Sequence, residues 1–437
     1  RRRFVARSLG LGVMVLAVVS RLEAQSSAVD VTRFGVATGR PTVPHVEPVV
    51  AVDPAHPGRI AVAAMAIEAP HEDRFNESWR VVVLVSSDGG ATWTNRPLPP
   101  TPSGPAMGDP SLAWTADGAL YLTALVLHAD RNTHTWLWSS RDEGRSWTTE
   151  QIPAAAVGSE DHPVLTAAGP RQSPALTVFA TIALTGISGS ARNPGGVTFS
   201  PAALYSPNQE NNNLGFGLRL LDGGLLFTYY SMSRKMPSPL WAVRSLDGGR
   251  TWVSTRITDR QVPVGFPMLA EDRSAERRRG RVYAVWIADE ESGNVMLGHS
   301  DDGGVSWSKP VIVNQGRSQV IRARPAVVVN RRGVVAVSWT DGRFDAKGRG
   351  AWCWDVYAGI SLDGGETFQP DIRLTGAVTC SHVPGNGSAG QRWRWGGDYA
   401  GVGSDSVGRF LVSWSDSRSG VFQPYLARIT VNSTSAP

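Results

Sequence analysis

SLDGGRTW occupies residues 245–252, and near copies stand elsewhere as SSDGGATW at 86–93, SRDEGRSW at 140–147, SDDGGVSW at 300–307 and SLDGGETF at 361–368. An Asp followed closely by Gly signals a tight turn. The carboxylate accepts neighbouring backbone N–H groups, and glycine takes the position with positive φ. The closing Trp or Phe begins the next strand and lays its ring beside the turn. Each phrase therefore predicts a stapled hairpin. Calcium is a poor occupant, because so short a turn supplies too few oxygen ligands.

The central residues of these Asp boxes, Asp88, Asp142, Asp247, Asp302 and Asp363, are 54, 105, 55 and 61 residues apart. The long interval holds a degraded copy, RNPGGVTF at 192–199, with Pro194 in the place of the acid. A period of about fifty residues suits the blades of a radial repeat. Between boxes a second theme recurs: a Pro-containing apolar run, a turn and a Val-rich strand, as in EPVVAVDPAHPGRIAVAA and RPAVVVNRRGVVAVSW. Equivalent openings start near residues 47, 109, 162, 214, 266, 324 and 399, one more than the boxes. The last unit supplies three strands and no box. VDVTRFGVAT at 29–38 is expected to complete it and so remove an open sheet edge. The pattern predicts one all-β, seven-bladed β-propeller with Asp-box hairpins over residues 29–437, with a six-bladed ring as the alternative.

Residues 1–24 stand apart. A basic stretch, RRRFVARSLG, precedes the apolar LGVMVLAVVS, and SRLEAQ offers a cut after Ala24, the layout of a secretory signal peptide. This segment carries five arginines against one glutamate, so of the formal net charge of +5 only +1 belongs to the rest of the chain. A nucleic-acid partner is not expected. The basic run RSAERRRGR at 273–281 reads as a solvated loop. Past residue 24 no apolar stretch is long enough to span a bilayer. The expected location is secreted or periplasmic, where the two cysteines, Cys353 and Cys380, pair as a disulfide. They cannot form a zinc site without clustered histidines, and neither a metal nor a cofactor is expected. A monomer is expected.

In a four-stranded blade the first and third turns share one rim, so the boxes mark the rim away from the site. The other rim collects the residues that open each inner strand: Glu47, Asp109, His162, Leu214, Phe266, Arg324 and Tyr399, with Asp161 and Asp398 one position earlier. At second-strand ends stand Asp289, Asp341 with Arg343, and Asp416 with Arg418, in the matching phrases SWTDGR and SWSDSR. Such pairs serve either a ligand or a bond between adjacent blades. WCW at 352–354 and Trp393 and Trp395 of WRW are left over once the boxes and second strands have taken their tryptophans. Their faces, Trp354 and Trp395 foremost, suit stacking on sugar rings or packing between blades.

Boxes, period and the strand of Tyr399 together resemble the sialidases and the wider Asp-box (BNR-repeat) superfamily over about residues 30–437. The resemblance implies an arginine triad that clamps the substrate carboxylate, a Tyr–Glu nucleophile and an Asp general acid. Residue by residue it is incomplete. The family's Arg-Ile-Pro opening falls on Val46-Glu47-Pro48, so the first clamp arginine is absent; the catalytic Glu falls on Leu214, and the next arginine on Tyr230, with Arg234 close by. Tyr399 matches the nucleophile strand, and Asp73 in HEDRFNESW takes the place of the acid. A tyrosine without its Glu is mostly un-ionised at neutral pH, so sialic acid hydrolysis by the family route is not expected.

Two functions of different class stay open. One is a glycoside hydrolase working through Glu47, Asp109 and Asp398, with His162, Arg324, Arg343, Arg418, Trp354 and Trp395 binding substrate. The other is a non-catalytic propeller that binds a carbohydrate or an exported protein, or helps assemble one.

Overall fold

The computed structural model describes residues 28–70, 78–168, 175–183, 186–196, 198–200, 203–206, 212–231, 238–261, 266–288, 293–316, 320–344 and 352–432. The segment 1–24, Asp73, Arg234 and Asp289 lie outside them. Seven antiparallel sheets surround an axis. The first blade shows the pattern: His45–Val52 lies innermost, followed outward by Ile60–Ile67, Trp79–Ser86 and Thr94–Asn95. The ring is seven-bladed, not six-bladed.

Second strands are buried along nearly their whole length. IAVAAMAI at Ile60–Ile67, ALTVFATI at Ala175–Ile182 and VYAVWI at Val282–Ile287 expose no residue. A strand covered on both faces by neighbouring blades is apolar throughout rather than alternating. The core accordingly lies between blades, as where Ala61, Ala63 and Val83 of the first blade meet Leu122, Ala124 and Trp138 of the second.

Ala28–Gly35 runs antiparallel to Gln423–Asn432, with Val31 opposite Ile429 and Phe34 opposite Leu426. The outer strand of the last blade thus comes from the beginning of the chain, which ties the first blade to the last and closes the ring.

The boxes are third turns. In the first, Asp88 Oδ1 accepts the amide of Thr92 at 2.9 Å and Oδ2 accepts its hydroxyl at 2.6 Å. These bonds hold the carboxyl at about 2. Asp142 does the same with Ser146. Glycines at the turns have positive φ, such as 73° and 92° at Gly248 and Gly249, and Glu143 takes one such position at 61°. The serine that opens every intact phrase has a part that the turn chemistry alone did not reveal. Ser86 donates to Asp88 at 2.8 Å and accepts the amide of Gly90 at 2.8 Å, and Ser140, Ser245, Ser300 and Ser361 repeat both bonds. Gly89 of a box donates to Gly58 of a first turn, so the two share a rim.

Candidate functional site

Of the five inner-strand openings followed by proline, four share a strained backbone, Glu47-Pro48, Asp109-Pro110, His162-Pro163 and Arg324-Pro325, with Phe266-Pro267 the exception. Proline disfavours the right-handed helical region for the residue before it. Here that residue is left-handed instead, with φ of 55°, 52°, 49° and 50°. These are four of only seven non-glycine residues with positive φ among those described. Strand pairing slips by a bulge at each, between Val46 and Val49, Gly108 and Ser111, Asp161 and Val164, and Ala323 and Ala326. A bulge breaks the two-residue alternation and re-aims one side chain, and strain at four equivalent positions marks a functional end of the ring.

Glu47, Asp109, Asp161, His162, Asp398 and Tyr399 line one cavity of about 490 Å³ on the rim opposite the boxes. The His162 ring stacks on Phe266 at 3.8 Å and 14°, and leans on Tyr399 at 5.1 Å. The same three side chains also line a smaller axial chamber of about 90 Å³. They form the floor between the two.

Glu47 is 1% exposed; its Oε1 accepts the amide of Asp398 at 3.2 Å, whereas Oε2, with Asp109 and Tyr399 in reach of the carboxyl, makes no well-formed hydrogen bond. Asp109 Oδ2 accepts the amide of His162 at 3.1 Å. Burial, then the Asp398 carboxylate, pushes the Glu47 carboxyl up to about 8. Burial, then Glu47 and Asp161, raises Asp109 well above the usual carboxylate range. Like charges forced together in a dry site retain protons. Burial also lowers His162 to about 4, so its ring is neutral at pH 7, and its Nδ1 lacks a partner.

Tyr399 does not stand alone, although Leu214, where the resemblance puts the partner Glu, is a fully buried apolar residue. Glu47 and Asp109 adjoin its phenol from the first two blades. Burial, with those two acids, nonetheless holds the phenol far above its ordinary value, so it stays protonated; the Glu47 carboxyl is within its reach, but the hydroxyl makes no well-formed hydrogen bond.

The other expected binding residues are placed differently. Arg343 pairs with Asp341 at 2.7 Å and Asp371 at 2.8 Å, and Arg418 pairs with Asp416 at 2.8 Å. Trp339 and Trp414 donate to the same aspartates at 3.0 Å. These Trp–Asp–Arg groups fasten the end of a second strand within its own blade. They do not bridge blades, and neither arginine lines the cavity. Trp354 is completely buried beneath Arg324, whose guanidinium lies 5.0 Å from its ring, so it offers no face to a sugar. Arg324 sits behind the cavity wall, 1% exposed, donating to Thr340 Oγ1 at 2.8 and 3.2 Å. Trp395 packs edge-on against Trp352 at 5.7 Å, away from the cavity.

Trp393 and Arg392 line the cavity instead. They end a short cap between the sixth and seventh blades that includes the helix Gly387–Arg392. Ser388 bonds to the Pro70 carbonyl, and Trp393 meets Trp79 at 5.1 Å. The Cys353–Cys380 disulfide fixes the start of this segment to the sixth blade. WRW pointed to the cap, but nothing in the spacing of its tryptophans said which one turns inward. Arg392 carried no signal. Among the described residues no helix is long and apolar enough to cross a membrane.

The sequence profile of the BNR repeat-like domain family matches residues 23–276, more than half of the chain. The chain belongs to that family. No curated protein sequence matches this BNR repeat-like protein. Among solved structures, a protein of unknown function from Dyadobacter fermentans is similar over 92% of this chain and 99% of its own, with a TM-score of 0.53 and 15% identity. An α-L-arabinofuranosidase of Fusarium graminearum, solved with an iminosugar inhibitor, covers 76% of this chain and 97% of its own at TM-score 0.48 and 12% identity. The NanB sialidase of Streptococcus pneumoniae covers 91% and 70% at TM-score 0.43 and 13% identity. Identities this low speak to the fold alone.

Proposed function

We propose that this BNR repeat-like protein is exported and binds a saccharide in the cavity opposite its Asp boxes. One observation carries the reading: buried polar atoms that make no well-formed hydrogen bond, Glu47 Oε2, Tyr399 Oη and His162 Nδ1, gather where an aromatic floor closes a cavity of about 490 Å³. Buried polar atoms are costly to leave unpaired, and hydroxyl-rich ligands supply both donors and acceptors. Aromatic faces suit the C–H faces of a sugar ring. The volume falls in the range of ordinary ligand sites. The disulfide agrees with an oxidising compartment.

Hydrolysis at the same place is the second reading, favoured by the proton-holding pair Glu47 and Asp109. In this form one carboxyl of the pair keeps its proton and is the general acid, while the other ionises and serves as base or nucleophile. A glycan array followed by product analysis on every bound sugar tests both. Binding that Tyr399→Phe and Glu47→Gln weaken supports recognition, and products that vanish in Asp109→Asn support hydrolysis. An array without any hit removes both.

A further inference from the structure

The charge of the cavity differs from what a sugar acid would need. Glu47, Asp109, Asp161 and Asp398 converge on its floor, and Asp161 and Asp398 are exposed to its interior. Glu160 lines it as well, with its Oε2 engaged by the amide of Thr135 at 2.6 Å. Against these acids stand Arg392 in the cap and Arg324 behind the wall, while buried His162 is neutral. Acidic side chains thus outnumber basic ones around the cavity, which favours a cation over an anionic sugar wherever they ionise.

We propose that the cavity floor recognises a primary ammonium group, which makes a sugar with a free amine the saccharide class that fits. The inference rests on the saccharide reading above for its second half only. An ammonium has three donors and no acceptor, and Glu47 Oε2, 1% exposed, makes no well-formed hydrogen bond and becomes an acceptor once the carboxyl ionises. The aromatic floor adds ring faces that attract a cation. A metal ion fits less well, because among the described residues no three His, Cys, Asp or Glu side chains are placed to ligate one. A cation beside these acids favours their ionised forms, so its arrival displaces a proton that burial had kept on the cluster. A bound ammonium would therefore be exchanged for that proton.

A matched series tests this by titration calorimetry. β-1,4-linked trimers of glucosamine, N-acetylglucosamine and glucose differ only at C2, which carries an amine, an acetamide or a hydroxyl. At about pH 5.5, where a sugar amine is charged, the glucosamine trimer should bind at least about tenfold more tightly than the other two, as expected for a charge-assisted hydrogen bond. Glu47→Gln and Asp398→Asn should each erase most of that preference. Buffers of different ionisation enthalpy should show proton release on binding of the amine trimer to the wild type, a readout that needs no variant to fold. Equal binding of all three trimers overturns the ammonium site and leaves the saccharide reading standing. Spermidine is the arm without a sugar: binding of spermidine but of no trimer keeps the ammonium site and removes the saccharide. Binding by neither spermidine nor any trimer overturns both.

Discussion

The amide of Asp398 donates to Glu47 Oε1 at 3.2 Å, across 351 residues of chain. The bond joins the opening of the last blade to that of the first, and it half-satisfies a carboxyl that is otherwise enclosed. Burial raises Glu47 from 4.5 to about 8. Between those values the folded protein holds a proton that the unfolded chain has lost, so this group costs stability as pH rises through the window.

Glu47→Gln removes that cost. Relative to the wild type, the variant should gain stability as pH rises from 5 to 8, by a few kcal/mol at most, since one pKa unit is about 1.4 kcal/mol. Urea unfolding at several pH values measures the gain. A difference between the two proteins that stays constant across this range would contradict the burial of Glu47. The same variant should bind ligand worse, so the group is kept at a cost in stability.

His162 has the opposite sign. Burial lowers its ring from 6.5 to about 4, so the unfolded chain takes up a proton that the folded protein refuses. Stability from this group is present above 6.5 and is lost as pH falls toward 4. His162→Asn suits the left-handed backbone at φ 49°. It should be less stable than the wild type at pH 7 through loss of the Phe266 stack, yet decline less steeply over that acid window. Parallel declines would mean that the ring is already solvated.

The cap depends on its disulfide. Cys353 and Cys380 are 27 residues apart, so the chain-entropy model gives their link about 3.5 kcal/mol. Cys353→Ser combined with Cys380→Ser should lower the melting temperature and weaken ligand binding, because Arg392 and Trp393 hang from this segment. Unchanged affinity would show that Ser388–Pro70 and the Phe422 amide bonded to Asn386 hold the cap unaided.

Asp363→Ala separates the two rims. Asp363 accepts the amides of Glu366 and Thr367 at 3.1 and 3.0 Å as well as two hydroxyls. Its loss should cost about 1–2 kcal/mol, read by urea unfolding, and should leave ligand affinity as it was. A fall in affinity would place the site on the wrong rim.

Trp354 and Arg343 show where reading the chain reached its limit. Both belong to residue types that bind sugars or their carboxylates, and both sit near the openings that mark the site rim. Composition and spacing do not tell a buried ring from an exposed one, or a free guanidinium from one held by Asp341 and Asp371. Glu47, Asp109, His162 and Tyr399 were accessible because they occupy one repeated position, which the fold must bring to one rim, with residue types that the repeat itself does not demand. Arg392 was not accessible, because it lies in an insertion outside the period.

The stapled corners were written in the chain alone, since hydrogen bonds and backbone freedom within eight residues determine a turn; seven recurrent strand openings favoured seven blades over six, and the closed ring decided the count. Which acids share a proton, and that Tyr399 meets Glu47 rather than a partner at position 214, were decided only when the ring closed. Burial and Coulomb forces act through space, and they couple residues that the repeat keeps hundreds of positions apart.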